Sequence, residues 1–196
     1  MKKGLSEIVI ILDKSGSMSG LEKDVIGGYN TLIKEQKKLK GEALVTLILF
    51  DTNYQEVYKR VNINDVKELT EKDYIPSGCT ALLDSVGNAI TTLDKIYVGE
   101  EEPEHIIFSI MTDGYENSSQ EYSYKKIKSM IESHQEKGWS FIFQAANIDA
   151  FAEGDKLGIA KEMINNFEAS EDGVMLSMKF ACASIAEKRK KKKKVI

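Results

Sequence analysis

The sequence predicts one doubly wound α/β domain with a mostly parallel, Rossmann-like sheet, one antiparallel edge strand and helices on both faces. Three observations predict this fold: short continuous apolar runs, segments of helical period that alternate with them, and polar loops that follow the runs. The chain has 196 residues, of which 42% are hydrophobic, so it can bury one substantial core. We expect a domain over residues 1–187 and a basic tail over residues 188–196.

Four apolar runs define the centre of the predicted sheet. They are rich in β-branched or aromatic residues and are too short for typical globular helices. They occupy residues 8–12, 43–50, 106–111 and 141–146. Because continuous apolar runs are typical of strands buried on both faces, we expect parallel pairing in the sheet centre. The more mixed segment 54–61 follows the second run after a short link, which favours an antiparallel edge strand.

Segments with apolar residues at helical spacing separate these strands. The first begins near Leu21 and ends before Gly41, a residue type that commonly terminates helices. The second follows Thr80 and the third follows Tyr122. The last begins after Ser170, a favourable N-cap, and has acidic residues in its first turn. Alternating strands and helices imply right-handed crossovers, and in such folds ligands bind beyond the carboxyl ends of the strands.

Oxygen-bearing side chains follow two of the predicted strands. Asp13, Ser15 and Ser17 alternate along the loop after the first strand, and Asp113 follows the run 106–111. Alternation in an extended loop points the first three side chains the same way. Hard cations such as Mg²⁺ bind about six oxygens in an octahedron, more than one loop can supply. The sequence therefore predicts a divalent-cation site assembled from several loops at the carboxyl edge of the sheet.

This arrangement resembles the metal-ion-dependent adhesion site of von Willebrand factor A domains. The signature consists of Asp13-x-Ser15-x-Ser17 after a hydrophobic strand, Thr80 before a helix, and a Thr-Asp-Gly sequence at Asp113 after another strand. All five signature positions match, and the resemblance covers nearly the whole chain. It implies that Ser15 and Ser17 contact the cation directly, and that Thr80 joins them when a ligand is bound. It also implies that Asp13 and Asp113 act mainly through water.

The resemblance implies a protein-interaction module and not an enzyme. A cation held by neutral hydroxyls and waters keeps an exchangeable position that an Asp or Glu of a partner protein can fill. We expect Mg²⁺ there, with Mn²⁺ and Ca²⁺ as alternatives. An integrin-type second site needs acidic residues soon after Ser17, but residues 18–20 are Met, Ser and Gly, so we predict one metal. Asp84, one helical turn after Thr80, is a candidate acceptor behind the site, and residues 115–118 are candidates for partner contact.

The main enzymatic alternative is a magnesium-dependent phosphatase or phosphotransferase of the haloacid dehalogenase type. That class also places an Asp after a hydrophobic first strand, in a motif similar to DxDx(T/V). Here Ser15 stands at the second Asp position, which leaves no acid to protonate a leaving group. The sequence also contains no GxxxxGK[ST] phosphate loop, no GxGxxG after a strand and no GxSxG elbow. We therefore expect no catalytic residues.

The charge of the chain is unevenly distributed. The net charge is −4, but seven of the 27 basic residues lie at positions 188–194. Residues 1–187 hold 20 basic against 31 acidic residues, a net of −11. Because an acidic body repels nucleic acid and anionic membranes, any weak nucleic-acid contact would have to use residues 188–194. That run has no interleaved aromatic residue on which bases could stack, so we expect such binding to be nonspecific.

Cysteine usage and hydropathy bear on the compartment. Cys79 and Cys182 lie far apart in sequence and form no CxxC pair, which fits a reduced cytosolic setting. No apolar run is long enough for a signal-peptide core or a membrane span. In these respects the chain resembles the stand-alone intracellular bacterial or phage members of the family. We therefore expect a cytoplasmic protein without a membrane partner.

Overall fold

The computed structural model describes residues 1–191 and contains a six-stranded sheet with helices on both faces. The strands are β1 (Lys2–Asp13), β2 (Glu42–Phe50), β3 (Tyr54–Asn62), β4 (Pro103–Thr112), β5 (Ser140–Ala146) and β6 (Ile164–Phe167). The helices are α1 (Glu22–Lys37), α2 (Leu82–Tyr97), α3 (Tyr124–Glu136), α4 (Ala150–Lys156) and α5 (Glu171–Lys190).

The strand order is β3-β2-β1-β4-β5-β6. The pairs from β2 through β6 are parallel, and β3 pairs with β2 in the antiparallel direction. The predicted fold class is therefore confirmed. The four apolar runs form the four central strands, and the segment around residues 54–61 is an antiparallel edge, as expected.

Side chains of β1 alternate between two cores. Ile8 and Ile10 pack in a cluster with residues of α1 and α5. Val9 and Ile11 pack on the opposite face with residues of α2 and α3. Because successive side chains of a strand point to opposite faces, a continuous apolar run fills both cores at once. α1 and α5 therefore share one face of the sheet, and α2 and α3 cover the other.

The close packing of α1 against α5 gives a matched pair of stability predictions. Gly28→Ala is expected to lower the free energy of unfolding by about 1–3 kcal/mol, because a Cβ atom there would lie 2.5 Å from Met178 Cγ. Gly27→Ala is the control, since a Cβ atom there meets no heavy atom within 4 Å and alanine should add up to about 1 kcal/mol of stability. Urea unfolding measures both. Equal stabilities would contradict this packing.

Two elements of the fold were not expected from the sequence, namely α4 and β6. β6 has only four residues, Ile-Asn-Asn-Phe, and its two central side chains are polar and not buried. α4 has seven residues, fewer than the periodic pattern of a helix needs to be recognised. β6 exists because β5 presents a free edge, and its two terminal side chains pack into the cores. Tertiary contacts, and not local sequence pattern, therefore determine that both elements form.

The C-terminal helix differs from expectation in its length. α5 continues through Lys190, so it includes residues 188–190 of the segment that we expected to be a tail. Residues 192–194 of the basic run lie outside the described part of the chain. Within residues 1–191, no helix is both long and apolar enough to cross a membrane.

Candidate metal centre

The candidate site lies at the edge of the sheet where β1 and β4 end side by side. Leu12 pairs with Met111, so Asp13 and Thr112 leave the sheet together. The Thr112 hydroxyl donates a hydrogen bond to Asp13 Oδ2 at 2.5 Å. The parallel pairing of these two strands thus joins two loops that are far apart in sequence.

The hydroxyls of the first loop form a hydrogen-bonded chain that ends on Asp113. The Ser15 backbone amide donates to Asp13 Oδ1 at 2.7 Å, which folds the loop back on the strand end. The Ser15 and Ser17 hydroxyl oxygens are 3.1 Å apart. The Ser17 hydroxyl donates to Asp113 Oδ1 at 2.6 Å. Four of the five predicted residues therefore form one continuous hydrogen-bonded group.

Thr80 reaches the same place from the loop before α2. A Cβ atom on Gly114 would lie 3.6 Å from Thr80 Oγ1 and 3.7 Å from Ser17 Oγ, so both hydroxyls border Gly114. The Thr80 amide donates to Asn117 Oδ1 at 2.8 Å, and the Asn117 amide donates to the Thr80 carbonyl at 3.1 Å. The backbone of Thr80 is thereby fixed while its hydroxyl faces the site. All five predicted side chains are brought together.

Burial disfavours the charged form of both aspartate side chains unless a cation lies nearby. Asp13 is fully buried and Asp113 is 2% exposed. Burial raises the pKa of Asp13 to about 6, although hydrogen bonds from Thr112 and Ser15 oppose it. Burial also raises the pKa of Asp113, and its hydrogen bond from Ser17 opposes the shift. Two carboxylates in this position attract positive charge.

One oxygen of the site remains without a partner. Among the described residues, Asp113 Oδ2 is buried and accepts no hydrogen bond. A buried carboxylate oxygen in this state costs free energy unless a cation or a cation-bound water occupies its vicinity. Two carboxylates and three hydroxyls are also the all-oxygen donor set that Mg²⁺ prefers. The residues present therefore fit a hard divalent cation.

The structure also shows residues around the site that we did not predict from the sequence. Lys14 Nζ lies 2.6 Å from Asp51 Oδ2, and the Ser77 hydroxyl donates to the same oxygen at 2.9 Å. Burial opposes the ionisation of Asp51, but hydrogen bonds led by that from Lys14 outweigh it and lower its pKa. The Tyr74 hydroxyl donates to the Asp13 carbonyl. Asp51 follows β2 directly, so the rule applied to Asp13 and Asp113 could have found it.

Acidic side chains also shape the loop after Asp113. The Asp84 carboxylate accepts backbone hydrogen bonds from three successive residues, 120–122, at 2.7–2.9 Å. Asp84, the candidate acceptor behind the site, therefore holds this loop. Glu116 accepts from the Leu83 amide at 2.9 Å, which ties the loop to the start of α2. Tyr115 is 53% exposed beside the site, where a partner could reach it.

The buried histidine of α3 lies away from this edge. His134 contacts the Met130 carbonyl through Nδ1 and Asp94 through Nε2 at 2.8 Å, which is a structural role. Residues 1–191 contain no group of three or more His, Cys, Asp or Glu side chains that could hold a metal. A metal centre in this part of the chain therefore needs oxygen donors besides such side chains, and the hydroxyls near Asp13 and Asp113 are of this kind.

Comparison with known proteins identifies the fold. No family model matches the chain, and no curated protein sequence is significantly similar to it. Solved structures are similar at low identity. One is proximal thread matrix protein 1 (PTMP1) from the mussel byssus, in a structure described as having a zinc-occupied MIDAS motif. It superposes with a TM-score of 0.65 at 15% identity, over 92% of this chain and 46% of that one.

Two microbial proteins are similar as well. The pilus adhesin SpaC from Lactobacillus rhamnosus GG gives a TM-score of 0.66 at 11% identity, over 92% of this chain and 30% of that one. The ArnB paralog VWA2 from Sulfolobus acidocaldarius gives a TM-score of 0.54 at 16% identity, over 78% of this chain and 38% of that one. This chain spans less than half the length of each of these three proteins. With the strand order described above, these similarities show that the chain has the von Willebrand factor A fold.

Proposed function

We propose that this domain is a divalent-cation-dependent protein-interaction module of the metal-ion-dependent adhesion type. Mg²⁺ is the proposed cation, and the proposed ligand is an Asp or Glu side chain of a partner protein. One observation carries the proposal. At the carboxyl edge of the sheet the Ser17 hydroxyl contacts both the Ser15 hydroxyl and Asp113, and the other Asp113 oxygen is buried without a partner among the described residues.

The hydrogen bonds suggest how the ligands divide. Both Asp13 oxygens already accept hydrogen bonds, from the Ser15 amide and the Thr112 hydroxyl, which favours the water-mediated role that the resemblance implies for Asp13. Ser17 can donate a hydrogen bond to Asp113 and still offer an oxygen lone pair to a cation. In this arrangement Ser15, Ser17 and Thr80 bind directly. Asp13 and Asp113 hold the ion by charge and through bound waters, as in the resembling family.

The same division explains why a partner carboxylate would bind. When bound, the cation supplies a coordination position that a further anionic group can occupy. Asp13 and Asp113 together offset its charge, but they do so from behind a layer of neutral hydroxyls. The exposed Tyr115 would border the incoming segment. The similar structures include a pilus adhesin and a matrix protein, which is consistent with an interaction role.

We also propose that the domain is not an enzyme. A haloacid dehalogenase-type phosphotransferase needs its first Asp to attack the substrate. Asp13 is fully buried, and both of its oxygens accept hydrogen bonds. The expected result is therefore no turnover of p-nitrophenyl phosphate in Mg²⁺ above the level of a buffer blank. Turnover that is lost in Asp13→Asn would contradict the proposal and support the phosphotransferase.

The proposed setting is the reducing interior of a bacterial or phage-infected cell. Within the described residues, Cys79 and Cys182 are both free thiols, and Cys79 is exposed. Exposed free thiols are uncommon on proteins of oxidising compartments, so this feature supports a cytoplasmic location.

The experiment that tests the proposed function is capture of partner proteins on the immobilised domain in Mg²⁺, followed by elution in EDTA. We expect a partner that binds the parent domain, elutes in EDTA and does not bind Ser15→Ala. Capture that is equally strong in EDTA would show that recognition occurs elsewhere on the domain.

A further inference from the structure

The edge of the sheet opposite the candidate metal centre collects basic side chains from the ends of two helices and the residues just after them. α1 and α5 each follow a strand that ends at the same edge of the sheet as the metal site, so both helices run to the opposite edge. Arg189 of α5 donates to the Gln36 carbonyl at 2.8 Å and to the Gly41 carbonyl at 3.4 Å. It also donates to Gln36 Oε1 at 3.1 Å. These contacts hold the end of α5 against the end of α1.

We call the resulting surface the basic end. It consists of Lys34, Lys38, Lys40, Lys188, Lys190 and Lys191. Five of these lysines are exposed, and Lys188 is partly buried. Lys38 pairs with Glu35 and Lys191 pairs with Glu187, each at 2.6 Å. The other four form no ion pair with any described residue, so the surface carries a clear excess of positive charge.

Arg189 has a different role from its basic neighbours. Its half-buried guanidinium is engaged by α1, and burial lowers its pKa. It therefore positions the lysines and does not extend the charged surface outward. Residues 188–191 of the basic run therefore belong to a surface to which the end of α1 and the residues just after it contribute three more lysines.

Acidic residues beside the basic end restrict the shape of a partner. The N-terminal ammonium group lies 2.6 Å from Glu101 Oε1, the Lys2 amide donates to the Glu102 carbonyl, and the Gly4 amide donates to Glu104. The α2–β4 link therefore places an acidic row at the same edge of the sheet. A flat anionic membrane would meet both surfaces, whereas a narrow chain of phosphates can follow the lysines alone.

The basic end also has no means of reading bases or entering a bilayer. The exposed large apolar side chains of residues 1–191 are Met1, Ile75, Val98, Tyr115, Phe151, Met175 and Leu176. None belongs to the basic end. Lysine is a flexible point charge without the bidentate geometry of arginine. Such a surface suits phosphates irrespective of base sequence.

We infer that the basic end binds the phosphate backbone of nucleic acid without sequence preference, and that the C-terminal ends of α1 and α5, with the residues just after each, form this surface jointly. β1 has 12 residues and spans roughly 40 Å between the two edges of the sheet. That separation leaves the metal-dependent site accessible while nucleic acid is bound. The inference does not depend on the proposed function.

The experiment measures binding of a fluorescent DNA duplex and a single-stranded RNA to the full chain by anisotropy, in EDTA and over a salt series. The test variant is Lys34→Glu/Lys38→Glu/Lys40→Glu, which leaves α5 and the residues after it unchanged. We expect its affinity at low salt to fall at least about tenfold, and the slope of log affinity against log salt to fall by about 2–3 on the duplex. The equivalent change of Lys188 and Lys190 should have a similar effect.

The matched control is Lys125→Glu/Lys126→Glu/Lys137→Glu, which makes the same change in net charge at α3 and the residue that caps it, across the sheet. Its affinity should stay within about threefold of the parent, because distant surface charges are largely screened. Both triple variants are also made with glutamine in place of glutamate. Circular dichroism of every variant then separates loss of binding from loss of folding. Equal behaviour of the two triples would overturn the inference, as would binding of phosphatidylserine vesicles without binding of nucleic acid. Because all arms contain EDTA, failure here leaves the metal-dependent proposal untouched.

Discussion

Mg²⁺ at one hundred times its dissociation constant is expected to raise the free energy of unfolding by about 2.7 kcal/mol. The physical reason is linkage: the ligands come from three loops that are close only in the folded state, so the unfolded chain does not bind the ion comparably. Thermal or urea unfolding in Mg²⁺ and in EDTA measures the gain. Mn²⁺ should act in the same way, since it also binds oxygen ligands.

Three variants make this result specific. Ser15→Ala should abolish most of the gain, whereas Ser129→Ala, an exposed serine on α3, should retain it. Asp113→Asn should abolish the gain without lowering stability in EDTA, because it removes a buried charge that lacks full compensation. A variant that merely damages the fold would lose stability in both conditions. Full metal-induced stabilisation of Ser15→Ala and Asp113→Asn would show that the ion binds elsewhere.

Thr80→Ala is expected to weaken partner binding about tenfold or more while changing the Mg²⁺ dissociation constant by no more than about threefold. The fixed backbone of Thr80 does not depend on its side chain, so the substitution removes only the hydroxyl. In the resembling family this hydroxyl binds the cation chiefly when a ligand is present. Loss of one contact to a charged centre corresponds to a loss of about 1.5–3 kcal/mol of binding free energy.

The measurement compares partner affinity and metal-induced stabilisation for the parent domain, Thr80→Ala and Thr80→Ser. Thr80→Ser keeps the hydroxyl and should restore partner binding. EDTA should release the partner from the parent domain entirely. If Thr80→Ala lowers metal and partner affinity to the same extent, the threonine is an ordinary ligand of the resting site. If it changes neither, the partner does not approach this edge.

Parts of the fold were predictable because their physical cause is local. A run that is apolar at every position is satisfied only where both faces are buried, so residues 8–12 indicated a central strand directly. β6 and α4 had no such pattern, because their existence depends on the edge of β5 and on neighbouring side chains. Long-range pairing therefore decided the elements that sequence periodicity could not indicate.

The candidate site divides in the same way. The sequence by itself determined the residue types, since the loop from Asp13 to Ser17 and the loop at Asp113 carry oxygen donors at strand ends. Only the tertiary structure decided that the Ser17 hydroxyl meets Asp113, and that Lys14 is paired with Asp51 and so cannot neutralise the site.

The same distinction applies to the charged surfaces. A basic run at residues 188–194 is visible in sequence, but the union of its residues 188–191 with Lys34, Lys38 and Lys40 is not. That union depends on Arg189 contacting the end of α1, a contact between residues 153 positions apart. Residue chemistry and local period are properties of short segments and can be read along the chain. Which segments become neighbours depends on packing over the whole core, and that only the folded structure decides.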